Sequence, residues 1–378
     1  MEWCDGVARE RKILIKKIYY ADSCDGNQVN RQDYADFVKN AQKKMEMPGF
    51  DAEYRDVVDY ILRITHRIWE ERSVGVIYDT YHNESRVHTC SSTSYGVKSV
   101  ILHTMEDLHA FPDRRLAPQE VIWSEDKPGQ YFSSHRLMST GTHLGDGRWG
   151  KATGRSVSNY AIADCYFKEN RIYEEWLVRD TLAQARCMGI DPLAYAKSLP
   201  APVVDAVSTS NGVSESMEGQ YYPQKYVAAD DSPGEQILEM HDQIFNYKSI
   251  DRVCDFFSEN AVFYYVGGEC LKGHDAIQGA LISLLVCFAS GGTTVHRVTV
   301  NQNEDGSCEV AVRWILQGIH EGYGMFDTPT GKPVEILGIN HYHMEDGRIT
   351  EGWMIFDALD VLRQLYAGGP QTEDGEDA

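Results

Sequence analysis

Two stretches of this chain repeat each other at a separation of 177 residues. When residues 136–180 are placed over residues 313–357, at least thirteen of the 45 positions are identical without a gap. Chance gives about three identities at ordinary amino-acid composition. The identities concentrate in two signatures, G-x-H-x-G and R-I-x-E-x-W-x-x-x-D. Two copies of more than 100 residues predict a tandem pair of domains of one type rather than a solenoid.

Changes in composition indicate where the two copies begin and end. The first residues match nothing in the second half, the segment between the copies is rich in Pro, Ser, Asn, Gly and Asp, and the last residues are acidic. Segments of this composition are typical of linkers and disordered tails. The prediction is an N-terminal extension (1–32), a first domain (33–198), a linker (199–232), a second domain (233–367) and a disordered acidic tail (368–378).

The order of elements is clearest in the second copy. Ser232-Pro233-Gly234-Glu235 has the pattern of a helix start with a capping box, and an apolar helix is predicted over 274–289. Strands rich in β-branched and aromatic residues follow. They are predicted over 293–302, 308–320, 334–345 and 348–356, with a last helix over 358–366. Helices followed by an antiparallel meander predict an α+β fold, and the first copy follows the same order.

The acidic balance of the chain excludes several classes of partner. Lys and Arg total 36 against 57 Asp and Glu, which gives a net charge of −21. Nucleic acids and anionic membrane surfaces require clustered positive charge, so neither is expected as a partner. No apolar run reaches the length of a membrane span, and no secretory signal is visible. The nine scattered Cys fit reduced thiols, and the predicted location is the cytoplasm.

The signatures carry a family resemblance. Gly318-x-His320-x-Gly322 and Arg348-Ile349-x-Glu351-x-Trp353-x-x-x-Asp357 resemble the SnoaL-like polyketide cyclases of the nuclear-transport-factor-2-like superfamily, and the matching signatures of the first copy do so too. The resemblance implies two tandem cystatin-cone barrels, each a curved antiparallel sheet packed on helices, arranged as an intramolecular pseudo-dimer. It also implies acid–base chemistry in an apolar pocket, with a small-molecule substrate and no cofactor. Further homo-oligomerisation is left open.

Asp180 and Asp357 are the first candidate catalytic residues. The resemblance implies that this position is the general acid/base of the pocket, where an apolar environment raises the pKa of a carboxyl. The alternative is a helix N-cap, because each Asp directly precedes a predicted helix. His143 and His320 are the second candidate pair, either as catalytic groups or as structural histidines packed closely between glycines.

The substrate-binding candidates lie on the same strands. The family places a second polar residue sixteen positions before the Asp, which is Asp164 in the first copy and His341 in the second, and residues two apart share a strand face. The full set is Asp164, Tyr166, His341, His343, Trp176 and Trp353. The histidines His320, His341 and His343 also have the chemistry of a Zn or Fe site, although the resemblance does not imply a metal.

Three functions are therefore open from the sequence. The first is a cofactor-independent enzyme, of isomerase, cyclase, dehydratase (lyase) or hydrolase type, which uses a pocket carboxylate on a small oxygenated substrate. The second is a non-catalytic ligand-binding or association module. The third is a metal-dependent lyase or oxygenase centred on the histidines of the second domain. One fold hosts many reactions, so the substrate is not determined.

Overall fold

The computed structural model describes residues 45–90, 92–202 and 233–368. The predicted N-terminal extension, most of the linker and nearly all of the tail lie outside these residues, and the predicted domain boundaries stay predictions. Contacts divide the chain into two compact units. Of the described residues, the first unit contains 45–86 with Tyr95–Gly154 and Tyr160–Glu175, and the second contains those of Val87–Ser94, Arg155–Asn159 and the part from Trp176 onward.

The first copy has the predicted order of elements. Its first helix begins at Val57, because the Asp56 carboxylate accepts a hydrogen bond from the Asp59 amide at 2.7 Å and caps the helix there. Asn170, in the last hairpin turn of this copy, has a φ of 64°, a left-handed conformation that Asn tolerates. In chain order the elements are α1 (Val57–Trp69), α2 (Ile77–Thr80), β1 (Tyr81–His88), β2 (Thr93–Tyr95), α3 (Val97–Ala110), β3 (Arg115–Lys127), β4 (Gln130–Thr142), β5 (Ser156–Lys168), β6 (Arg171–Arg179), α4 (Thr181–Met188) and α5 (Pro192–Ser198).

The second copy repeats this order. The four predicted strands and the last helix are confirmed to within one residue. A π-helical turn, Asp242–Asn246, directly follows its first helix. In chain order the elements are α6 (Pro233–His241), α7 (Val253–Phe256), β7 (Phe257–Tyr265), β8 (Glu269–Lys272), α8 (Gly273–Leu285), β9 (Gly292–Gln302), β10 (Cys308–Ile319), β11 (Pro333–Glu345), β12 (Arg348–Phe356) and α9 (Ala358–Tyr366).

Within the described residues the strands form two six-stranded sheets. Their orders are β2-β1-β6-β5-β4-β3 and β8-β7-β12-β11-β10-β9. In the second sheet β12 pairs with β7 in parallel, while the other pairs are antiparallel. The sheet is therefore mixed rather than wholly antiparallel, because the meander returns beside the strand that precedes α8. The predicted α+β architecture of two tandem barrels is otherwise confirmed.

The core of the second copy identifies the inner face of its sheet. Trp314 on β10, Tyr342 on β11 and Phe356 on β12 belong to one buried cluster with Ile237 of α6 and Leu281 of α8. Successive residues of a strand point to opposite faces, so the residues adjacent to these three point away from the helices. We call the part of the second copy that is enclosed by α6, α8 and this sheet face its interior.

Two findings bear on the expectations from composition. In the described part of the chain, no helix has both the length and the apolar character that crossing a membrane requires. The cysteines of this part are all free, and four of them, Cys90, Cys165, Cys287 and Cys308, are buried. The prediction of unpaired thiols is confirmed for the described cysteines. The four buried ones pack as small apolar side chains.

Candidate functional site

Three polar side chains in the interior of the second copy form one hydrogen-bonded chain. The indole Nε1–H of Trp314 donates to Oδ1 of Asn340 at 2.9 Å, and Nδ2–H of Asn340 donates to the phenol oxygen of Tyr342 at 2.5 Å. Each side chain belongs to a residue that is no more than 1% exposed. The chain therefore links β10 and β11 on the sheet face that contacts the helices.

Trp314 fixes the direction of this chain. An indole N–H can only donate, so the amide oxygen of Asn340 faces Trp314 and the amide nitrogen faces Tyr342. The Tyr342 oxygen accepts that bond, which leaves its own O–H to donate. No acceptor for this hydrogen is found among the residues that the structure describes. Burial raises the pKa of Tyr342, so the phenol stays protonated and remains a hydrogen-bond donor at neutral pH.

Two glycines make room for these side chains. A Cβ atom on Gly338 would lie 2.0 Å from the ring of Trp314, and one on Gly352 would lie 2.6 Å from the ring of Phe263 and 3.1 Å from that of Tyr342. The first copy differs at all of these places. The residues 177 positions before Trp314, Gly338, Asn340, Tyr342 and Gly352 are Leu137, Ala161, Ala163, Cys165 and Glu175. The hydrogen-bonded chain is therefore specific to the second copy.

His241 is a fourth polar group in this interior. Its side chain is fully buried, and within the described ranges neither ring nitrogen has a hydrogen-bond partner. The ring stacks on Phe245 with 4.8 Å between centroids and lies 6.4 Å from the ring of Trp314. His241 is the last residue of α6, where the helix passes into its π-helical turn, a feature frequent at functional sites. Burial lowers the pKa of His241 to about 3, so the imidazole is neutral at pH 7.

These four residues cannot be found from identities between the copies. Trp314, Asn340 and Tyr342 occupy positions where the copies differ, and His241 lies outside the matched stretch. A usable signal was present, since His241 interrupts the otherwise apolar helical stripe of Ile237, Met240 and Ile244. A histidine in such a stripe is a polar group directed into the core.

The structure places Asp180 and Asp357 at helix starts. Asp180 caps α4 by accepting from the Ala183 amide at 3.0 Å, and Asp357 caps α9 by accepting from the Asp360 amide at 2.9 Å. The capping alternative is confirmed for both residues. Asp357 also accepts a bond from the Thr181 hydroxyl. The catalytic role of the two carboxylates stays a prediction.

Asp180 is held more tightly than a cap requires. Its two carboxylate oxygens also accept from the backbone amides of Gly267 and Gly268, at 2.8 Å and 3.0 Å, and the residue is 1% exposed. Burial raises the pKa of this carboxyl, and the three backbone hydrogen bonds oppose that shift. The carboxylate is thus already bonded by backbone amides of two segments far apart in the sequence.

The histidines of the G-x-H-x-G signature hold the Thr-Gly loop of each copy. The Thr153 amide donates to Nδ1 of His143 at 3.3 Å, and the Thr330 amide donates to Nδ1 of His320 at the same distance. Because Nδ1 accepts, the proton of each neutral ring lies on Nε2. Burial lowers the pKa of both histidines. The geometry supports the structural role, and the catalytic role stays a prediction.

The last glycine of the signature lies against a helix end. A Cβ atom on Gly145 would lie 2.0 Å from the carbonyl oxygen of His109, whereas one on Gly147 would meet nothing within 4 Å. We expect Gly145→Ala to lower the free energy of unfolding by about 2 kcal/mol through overpacking, and Gly147→Ala to change it by less than about 0.5 kcal/mol. Urea denaturation of both variants measures this, and equal losses would show that the contact is unimportant.

The other predicted polar residues lie on the far faces of their strands. Tyr342 and Met344 face the core, so His341 and His343 point away from the interior. On that far face, His343 contacts the carboxylates of Glu309 and Glu345. In the first copy, Phe167 stacks on Tyr60 of α1, so Asp164 and Tyr166 lie on the face opposite Phe167. The substrate-binding role of these residues stays a prediction that the interior does not support.

Trp353 and Trp176 share the far-face position of these residues. Trp353 is paired with His341 across β11 and β12, and its ring stacks on Tyr264 with 5.2 Å between centroids. The guanidinium carbon of Arg313 lies 3.6 Å from the ring centroid of Trp176, a cation–π contact. Both indoles therefore pack against aromatic or cationic side chains, and their predicted substrate contacts stay predictions.

The described residues do not form the metal site that the histidines suggested. Among residues 45–90, 92–202 and 233–368, no group of three or more His, Cys, Asp or Glu side chains is arranged to hold a metal ion. His343 is instead bonded to two glutamates, and His320 holds its Thr-Gly loop. The three histidines named for this site are therefore not brought together as ligands.

Comparison with known proteins gives one family. The model of the SnoaL-like polyketide cyclase family matches residues 59–187 and 235–365, which is more than half of the chain. No curated protein matches the chain. Solved structures that match include IdmH of Streptomyces antibioticus, a proposed polyketide cyclase, at 25% identity, with 35% of this chain and 98% of that protein covered and a TM-score of 0.30.

Two further matches have the same extent. A proposed SnoaL-like polyketide cyclase from Jannaschia sp. CCS1 is 20% identical, with 38% of this chain and 100% of that protein covered and a TM-score of 0.31. AclR of Streptomyces galilaeus, a proposed hydroxylase, is 19% identical, with 34% of this chain and 92% of that protein covered and a TM-score of 0.31. Each relative thus has about the length of one copy.

Proposed function

Because this chain belongs to the SnoaL-like polyketide cyclase family, we propose that it is a cyclase- or isomerase-type enzyme that acts on a small oxygenated molecule inside its second copy. One observation carries the proposal. The interior of the second copy presents a buried acceptor at His241 and a buried donor at Tyr342, and neither group has found its partner among the described residues. Buried polar groups are normally hydrogen-bonded, so a substrate oxygen and an acidic C–H are the expected partners.

The two groups divide the acid–base work. Neutral His241 removes a proton from the carbon next to a substrate carbonyl, and the charge that develops on the carbonyl oxygen is stabilised by the Tyr342 O–H. The hydrogen bond that Asn340 donates to Tyr342 strengthens that donor. The low pKa of His241 means that its imidazolium persists only beside the enolate. The proton is therefore returned within the same event.

Return of the proton decides the outcome. If it goes to a different carbon of the enolate system, the product is an isomer. If the enolate carbon instead attacks a second carbonyl carbon of the same molecule, a ring closes and the new alkoxide takes the proton from His241. Trp314, Phe245 and Phe356 supply apolar surface for the carbon skeleton. In this proposal Asp180 and Asp357 act as helix caps rather than as the base.

Proton abstraction can be measured without the natural substrate. Exchange of the α-hydrogens of 2-tetralone in D2O, followed by proton NMR, is expected to be faster with the protein than in buffer. Tyr342→Phe is expected to reduce this acceleration by about 100-fold, as the loss of one oxyanion donor does elsewhere. The matched control is Tyr265→Phe, which removes a core hydroxyl that bonds only to the Met325 sulfur at 3.4 Å among the described residues. Equal exchange rates for the two variants, or no acceleration by the unmodified protein, would contradict the proposal.

A further inference from the structure

The helix that precedes the long strands has an exposed outer face in the second copy. On this face of α8, Asp275, Gly279 and Ile282 lie at spacings of four and three residues, and Val286 follows four residues later at the end of the helix. Ile282 is 51% exposed and Val286 is 39% exposed. The inner face of α8 packs in the core, for example through Leu281. A helix that is apolar on both sides is normally covered, so a partner is expected for this outer face, which we call the α8 stripe.

The first copy exposes the same face of its helix α3. The residues 177 positions before the α8 stripe are Lys98, Leu102, Met105 and His109, and all four are exposed. Leu102 is 56% exposed and Met105 is 57% exposed. Exposed apolar surface bordered by polar residues is typical of interaction sites. We call these four residues the α3 stripe, and both copies therefore present an apolar outer face on the same helix.

The two stripes are complementary in charge and in size. Lys98 stands where the α8 stripe has Asp275, and within the described residues neither side chain is in an ion pair. Leu102 stands where the α8 stripe has Gly279. In two parallel helices whose contact residues are spaced by four and three, residues at equivalent positions meet in one layer. A parallel pairing of the two stripes therefore places the ammonium beside the carboxylate and the leucine side chain against the glycine.

Gly279 is not required by the packing of its own chain. It lies in the middle of α8 on the exposed face, and a Cβ atom there would meet nothing within 4 Å. Glycine inside a helix destabilises the fold relative to alanine, because it loses more backbone freedom on folding. The α3 stripe has a leucine at this position, so this helix of the fold accepts a side chain here. The open space beside Gly279 is thus a hole that a side chain of another molecule can enter.

We propose that the α3 stripe of one molecule packs in parallel against the α8 stripe of a second copy of this chain, so that the protein self-associates through these helices. The Leu102 side chain inserts beside Gly279. The ion pair between Lys98 and Asp275 fixes the register and the direction, because antiparallel helices would bring Lys98 to the apolar end of the α8 stripe. This association goes beyond the acid–base chemistry proposed for the second copy and does not depend on it.

Exchange of the two charges tests the pairing. Sedimentation velocity over a dilution series of the full chain, at about 0.15 M salt so that the repulsion between acidic molecules is screened, measures the association constant. Lys98→Asp and Asp275→Lys are each expected to weaken association by about tenfold or more, because each places like charges opposite one another. The variant with both changes restores the ion pair in exchanged order and is expected to associate within about threefold of the unmodified chain.

A charge control accompanies these variants. Lys127→Asp makes the same change in net charge as Lys98→Asp, at an exposed residue of β3, and is expected to leave the association constant unchanged. If Lys127→Asp weakens association as much as Lys98→Asp does, the effect comes from net charge and the proposed pairing is wrong.

Gly279→Leu tests the hole without harming the fold. It fills the space that Leu102 of the second molecule needs and is expected to weaken association by about tenfold or more. The same variant is expected to melt no lower than the unmodified chain, because leucine has the higher helix propensity and meets open space. An unmodified chain that stays monomeric up to about 0.1 mM, charge exchange that does not restore association, or unchanged association of Gly279→Leu would each overturn the proposal.

Discussion

His241→Leu is expected to abolish the exchange activity of the second copy and, in the same variant, to make the protein more resistant to acid. The side chain is fully buried and its ring nitrogens have no partner among the described residues, so an apolar side chain of similar volume removes a desolvated polar group without breaking a bond. Loss of activity together with unchanged or higher stability distinguishes a catalytic role from a structural one. Most catalytic substitutions in a core cannot be separated from unfolding so cleanly.

The acid response follows from the sign of the pKa shift. Burial lowers the pKa of His241 from 6.5 to about 3, so between these values the unfolded chain binds a proton that the folded chain does not. Stability is therefore complete above about pH 6.5 and falls as the pH drops toward 3, by on the order of 5 kcal/mol for this one group. Melting temperatures at pH 7 and pH 4.5 measure the effect.

The comparison needs one control, because a second histidine titrates similarly. The pKa of His135 is lowered to about 4 by burial, so some acid sensitivity remains in His241→Leu. His135→Val should remove that remainder. In the double variant, these two groups should contribute no change in stability between pH 4.5 and pH 7. If His241→Leu loses as much stability on acidification as the unmodified protein, the imidazole is not desolvated as the structure has it.

Asp180→Ala is expected to be the most destabilising single change among the predicted site residues. The backbone amides of Ala183, Gly267 and Gly268 then lose their acceptor. The loss is costly because Asp180 itself is only 1% exposed. At about 1 kcal/mol or more for each amide, the loss in free energy of unfolding is about 3 kcal/mol or more. Urea denaturation with a constant slope between variants is the measurement.

Asp357→Ala is the matched control for this prediction. Asp357 occupies the same position in the second copy but is only partly buried, and it accepts from the Asp360 amide and from the Thr181 hydroxyl. A loss of about 1 kcal/mol is expected. Asp180→Asn should fall between the two, because the amide oxygen can still accept while its NH2 group opposes a backbone N–H. Equal small losses for Asp180→Ala and Asp357→Ala would show that the two glycine amides do not depend on the carboxylate.

The main features of the fold were predictable because they follow from local patterns and from the repeat. The helix over 358–366 and the strand over 348–356 agree with the structure residue for residue, since each has an unambiguous periodicity and a turn residue at its boundary. The parallel pairing of β12 with β7 was not predictable. The periodicity of a strand does not indicate which neighbour it will have.

The candidate site was harder to predict for a geometric reason. His341 and His343 were the predicted residues of β11, whereas the side chains that face the interior are those of Asn340 and Tyr342. A displacement of one residue along a strand moves every side chain to the other face of the sheet. A count of residues back from Asp357 does not reveal the irregularity between His343 and Met344, which shifts the pairing of β11 with β12. The register of the sheet had to be known first.

The sequence by itself determined that the chain contains two copies of one α+β domain and which residues the copies share. Both follow from identities at a constant separation and from local periodicity, which do not require knowledge of contacts. Only the tertiary structure decided what the shared residues do. Asp180 is bonded to amides 87 and 88 residues away, and His241 is left unbonded inside the core. Hydrogen bonding and desolvation depend on which atoms surround a group, and distant parts of the chain supply those atoms.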